Sequence, residues 1–79
     1  MTLDALDSGR PATITAVDWS VVAADEAKRL RALGVDEGVE ISVTHRGVFG
    51  TRDPIAIRLG RTMIALRRAH ALAIEVEAA

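Results

Sequence analysis

Apolar and polar residues alternate along four stretches of this chain, run almost continuously along a fifth, and recur at helical spacing in one. In Ala12–Asp18, Ile14 alternates with Thr13 and Thr15, the period-two pattern of a strand with one buried face. Val39, Ile41 and Val43 alternate with Glu40, Ser42 and Thr44, and Ile55, Ile57 and Leu59 form a third such set. Thr62–Leu66 is nearly all apolar, which predicts a strand buried on both faces. Leu72–Glu77 sets Ile74 and Val76 against Glu75 and Glu77, a last strand.

Between Ser20 and Leu33 the apolar residues Ala23, Ala27, Leu30 and Leu33 recur at helical spacing, with Lys28, Arg29 and Arg31 on the other face. Either Ser20 or Asp25 can cap its start. Gly34 stands where a left-handed residue ends a helix. With Leu30 three positions inside the end and Val35 just beyond it, the apolar pair of a Schellman motif is in place. Asp36 and Glu37 are expected as the central residues of a type I turn closed by Gly38.

Two breaks punctuate the remainder. His45–Pro54 is rich in turn formers and reads as a long loop, in which Val48 and Phe49 either fold back over the fold's end or face a partner. Gly60-Arg61 fits a two-residue hairpin of type II′. Near the start, Leu3 and Leu6 predict a turn of helix or an ordered arm before Gly9 and Pro11, and Arg67–Ala71 predicts a short helical turn. These elements predict a mainly β fold with one inserted helix, an SH3-like small β-barrel of about five strands, formed by residues 1–79 as a single domain.

Composition narrows the classes. Trp19 and Phe49 are the only aromatic residues, so Val, Ile, Leu and Ala must fill the core, with Trp19 placed in the core or at the barrel rim. There is no cysteine, which removes disulfides, thiolate metal sites and cysteine nucleophiles together and fits a reducing compartment. No apolar run reaches the roughly 18–20 residues of a membrane span, and acids stand where a signal peptide needs basic residues. The expectation is a soluble, cytoplasmic protein that meets a membrane only through a partner.

The formal net charge of −1 divides unevenly: Met1–Val39 carries four basic and seven acidic residues (−3), and Glu40–Ala79 six and four (+2). The cationic half holds Arg46, Arg52, Arg58, Arg61, Arg67 and Arg68, suited to a solvated face or to a surface rich in carboxylate or phosphate. With no Tyr and one Phe for stacking, nucleic acid is not the expected partner.

Catalytic groups are scarce. The two histidines, His45 and His70, fall in or beside turns, and no phosphate-binding glycine loop, HExxH or EF-hand pattern occurs. No catalytic residues, cofactor or dedicated metal site are assigned, and the chain is not expected to be an enzyme.

Four stretches in order, LDALDSGRPATI, RLRALGVDEG, DPIAIRLG and IALRRAHALAIEV, resemble the FeoA family of small ferrous-iron transport proteins over nearly the whole chain. The resemblance implies an SH3-like barrel and an accessory role beside FeoB, the membrane ferrous-iron transporter with a cytoplasmic GTPase domain. The family resembles, in turn, the C-terminal module of iron-dependent repressors. Where the family loop reads Gly-Asp-Pro-Ile, this chain has Arg52-Asp53-Pro54-Ile55, a bulky cation in place of the glycine. The partner-binding residues expected on this basis are Val48, Phe49, Arg52, Asp53, Pro54, Arg67 and Arg68, with Arg52, Arg67 or Arg68 able to act as an arginine finger toward a phosphoryl group. Two alternatives stand beside the adaptor: a self-associating SH3-like module, a homo-oligomer formed by pairing of exposed strand edges or by exchange of the C-terminal strand, and a weak ferrous-responsive site using His45, His70 and carboxylates.

Overall fold

The computed structural model describes residues 1–46 and 54–79. Five strands form one antiparallel sheet: β1 (Pro11–Val17), β2 (Glu40–Arg46), β3 (Ile55–Leu59), β4 (Thr62–Leu66) and β5 (Ile74–Ala78), in the order β4-β3-β2-β1-β5. Helix α1 (Ala24–Ala32) lies between β1 and β2 in the chain, and the short α2 (Arg68–Ala71) between β4 and β5. Single 3-10 turns occupy Leu3–Ala5 and Trp19–Val21. The helix inserted after the first strand and the five strands are the SH3-like arrangement that the alternation predicts. The ladder is not closed between β4 and β5, so each is an edge of the sheet.

The alternation translates into burial with few exceptions. Ile14, Ile41, Val43, Ile55, Ile57, Ile74 and Val76 line one side of the sheet, closed by Leu3 and Leu6 from the N-terminal arm, Leu30 from α1 and Val35. Burying each of these side chains stabilises the fold by about 1.5–3 kcal/mol before ordering costs are subtracted. Bulges at Thr15 and Thr44 interrupt the register, and bulges of this kind bend a strand. At the second, the Thr44 hydroxyl donates to the Ala56 carbonyl at 3.1 Å.

Helix α1 ends as its sequence predicts. The Val35 amide donates to Leu30 O at 3.0 Å and the Gly34 amide to Arg31 O at 3.1 Å, the two bonds of a Schellman motif, with Gly34 at φ +106°. Its start differs from both expected caps. Ala23 occupies the N-cap without a side-chain bond, because the 3-10 turn and extended Val22 delay the helix. Asp18 caps that turn instead, accepting from the Ser20 amide at 3.2 Å and the Ser20 hydroxyl at 2.5 Å. Ala23 is therefore exposed, while Val22, Ala27 and Leu30 face the core.

Three further expectations shift. The turn after α1 runs one residue later: Val39 N donates to Asp36 O at 3.4 Å, so Glu37 and Gly38 are central, and Gly38 takes φ +84° where a type II turn requires it. This places the Gly38 amide on Ile14 O at 2.8 Å and so begins the pairing of β2 with β1. Strand β2 runs on through His45 and Arg46, paired with Ala56 and Ile55, so these two residues belong to the strand and not to the expected loop. Strand β4 is not buried on both faces. Thr62, Met63 and Ala65 are exposed, and only Leu66 is fully buried, because among the described residues no layer covers the face that Met63 and Ala65 share with Arg58. Between β3 and β4, Gly60 at φ +59° and a non-positive Arg61 make the hairpin expected of a type II′ turn. Among the described residues no helix is long and apolar enough to cross a membrane.

Candidate functional site

From Pro54 to Ile74 the chain carries Arg58, Arg61, Arg67, Arg68 and His70 and no acidic residue. The fold gathers this run into one continuous piece, the β3–β4 hairpin followed by α2. Arg58 on β3 stands opposite Met63 on β4, with one guanidinium nitrogen 3.9 Å from the Met63 sulfur. Arg61 lies in the hairpin turn, and Arg67 at the far end of β4, where it precedes α2. All three are exposed, and among the described residues no carboxylate lies within salt-bridge distance of them.

Arg68 is tied inward. Its Nε lies 3.7 Å from Asp4 Oδ2, and the Thr2 hydroxyl donates to the other Asp4 oxygen. Asp4 is buried, so this contact anchors α2 to the N-terminal arm from residues 64 positions apart. The Arg68 side chain stays more than half exposed.

A second polar group joins the two helices. Glu26 on α1 accepts from Arg29 Nε at 3.0 Å and Nη2 at 2.6 Å, and His70 Nδ1 on α2 lies 3.9 Å away. The Arg29 hydrogen bond holds the Glu26 carboxyl below its ordinary range; partial desolvation opposes it, and the charges of Arg29, His70 and Arg67 reinforce it. The same bond raises Arg29. On the opposite side of α1, the Arg31 guanidinium stacks 4.4 Å from the Trp19 ring centroid. Trp19, expected in the core or at the barrel rim, is half-buried and packs against the core.

Of the residues singled out in the sequence, Val48, Phe49, Arg52 and Asp53 lie outside the described residues. Pro54 is exposed and leads into Ile55, whose partner across the ladder is Leu66, so Pro54 and Arg67 flank the same end of the β3–β4 pair. The two histidines fall on different elements, His45 on β2 and His70 on α2. Among the described residues no three His, Asp or Glu side chains converge to hold a metal ion.

Two roles escape sequence reading in different ways. The Glu26–Arg29 pair has a local signal, an acid three residues before a base on a helix. The contact between Asp4 and Arg68 has none, being made only by the fold.

Residues 1–78 match the model of the FeoA domain. Among solved structures, iron(II) transport protein A from Clostridium thermocellum superposes with a TM-score of 0.83 at 32% identity, over 99% of this chain and 45% of that one. The chain thus spans less than half of that relative's length. Stenotrophomonas maltophilia FeoA, solved with zinc and described as an SH3 domain protein and a candidate ferrous iron transport activating factor, gives 0.81 at 31% identity, over 98% of this chain and 89% of that one. A manganese-dependent transcriptional repressor matches at 0.82 with 18% identity over 41% of its length, a likeness of fold alone. No match was found among curated protein sequences.

Proposed function

The chain belongs to the FeoA family, and from that membership we propose that it serves ferrous iron uptake as an accessory protein, docking on the cytoplasmic part of an FeoB-type transporter. It contributes binding energy and no chemistry of its own. The observation that carries the docking surface is the acid-free run from Pro54 to Ile74, held as one hairpin and helix with Arg58, Arg61 and Arg67 exposed. Arginine suits such a surface because its planar fork pairs bidentately with carboxylate. Pro54, Arg67 and Arg68 form one end of it, and Val48, Phe49, Arg52 and Asp53, which precede Pro54 in the sequence, are proposed as further partner-binding residues.

Affinity capture from detergent-solubilised membranes of the native host, at moderate and at high salt, tests this. Retention of the ferrous-iron transporter, weakened by salt, is expected, since exposed charge pairs are screened within about 10 Å at 0.1 M. Arg61→Glu and Arg67→Glu together should abolish retention. Capture of no transporter from membranes that contain it overturns the proposal.

A further inference from the structure

The two edges of the sheet are not equivalent. The outer side of β5 is met by the N-terminal arm: Thr2 bridges Glu75, and Val76 N donates to Met1 O at 2.8 Å. The Met1 ammonium also lies 3.3 Å from Glu75. Edge β4 has no such cover among the described residues.

Its backbone faces outward in a defined way. The two-residue turn makes Leu59 and Thr62 a hydrogen-bonded pair, and antiparallel alternation makes Ile57 with Ile64 and Ile55 with Leu66 the next two. The N–H and C=O groups of Met63 and Ala65 therefore point away from β3, and no hydrogen bond among the described residues reaches them. Strands exposed in this way are usually blunted by proline, a bulge or a charge. Thr62–Leu66 has none of these, and its register with β3 is unbroken. Met63 is 49% exposed and Ile64 half-buried, so apolar surface accompanies the open backbone.

We propose that β4 accepts an extended, acidic segment of another protein as an added strand. This deepens, and rests on, the reading of the chain as an accessory binding protein. Main-chain bonds to Met63 and Ala65 supply the docking, as in other strand additions. Charge selects the occupant. Arg61 and Arg67 bracket the strand about 20 Å apart at strand rise, and Arg58 stands beside Met63, so a segment with acids near both ends and apolar residues between them is matched. A second copy is not matched. Antiparallel pairing of two β4 strands about Ile64 sets Arg61 of one copy against Arg67 of the other, and like charges opposed across strands destabilise pairing.

Amide hydrogen exchange on the full chain tests the assignment. The probe is a synthetic peptide with glutamates near both ends and valines between them, N-methylated on alternate residues so that one edge alone can pair; its lysine counterpart is the control. Exchange at Met63 and Ala65 is expected to slow about tenfold with the glutamate peptide, less so at high salt, and to be unchanged by the lysine peptide. Met63→Pro, which removes an outward donor and leaves the bonds to β3, should abolish the protection. If that variant does not fold, Arg61→Glu with Arg67→Glu should transfer the protection to the lysine peptide. No slowing at Met63 and Ala65, equal slowing by both peptides, or slowing along β5 instead overturns the proposal. Membrane capture separates the two readings. Transporter retained equally by the wild-type chain and Met63→Pro overturns the β4 assignment and keeps the accessory role; protection by the glutamate peptide without transporter capture keeps β4 and overturns that role.

Discussion

The Val35 amide donates to Leu30 O at 3.0 Å, and both side chains are buried, so one motif ends α1, satisfies its last carbonyls and turns the chain into the core. The motif requires Gly34 at φ +106°. A Cβ added there meets nothing within 4 Å, so the penalty for a side chain lies in the backbone alone. Gly34→Ala is expected to lower stability by about 1–2 kcal/mol, read from the urea midpoint at unchanged slope. An unchanged midpoint would show that the positive φ is not required.

Leu66 and Met63 lie on the same strand but differ in burial, 0% against 49% exposed. Leu66→Ala should cost about 2–5 kcal/mol through lost burial and the cavity left behind. Met63→Ala should stay within about 0.5 kcal/mol, as surface changes do. Equal losses in a denaturant titration would mean that β4 is covered on its outer face.

Asp4 and Arg68 contribute unequally to their own contact. Asp4→Ala removes the buried acceptor of the Thr2 hydroxyl as well as the Arg68 partner, and should cost about 1–2 kcal/mol. Arg68→Ala should cost less than about 1 kcal/mol, since that side chain is half in water. A larger loss from the Arg68 variant would reverse this order.

Glu26 gives the acid side of the stability profile. Because its carboxyl titrates below the ordinary value of 4.5, chiefly through the Arg29 hydrogen bond, the folded state favours the ionised form. Its contribution is present above the unfolded-state value and is lost as the pH falls through the lower folded-state value. The stability difference between the wild-type chain and Glu26→Gln should therefore be constant near neutrality and shrink on acidification. A difference that grows in acid would show that the carboxyl is held above, and not below, its ordinary range.

Local pattern was enough for the elements whose causes are local. The alternation of Ile14, Ile41, Val43, Ile55 and Ile57 marked strands and their inner faces, because side-chain direction in a strand follows a period of two. Gly34 and Gly60 marked a helix end and a hairpin, because each stands where the backbone must take a positive φ. What pattern could not supply was position in the sheet. Thr62–Leu66 reads as doubly buried, yet a face is buried only where another layer packs on it, and among the described residues none covers Met63 and Ala65; pairing order separately makes β4 an edge.

The same division holds for the candidate site. The clustering of cationic residues after Pro54 was legible in the chain, and the Glu26–Arg29 pair, though not read there, leaves a local signal, since both depend on spacing along the chain. Tertiary structure was needed to draw Arg68 to buried Asp4, to set Pro54 and Arg67 at one end of the hairpin, and to cover β5 with the arm while leaving β4 uncovered among the described residues. Each of these joins residues far apart in sequence. Their proximity follows from how the chain closes its single core, which no local pattern encodes.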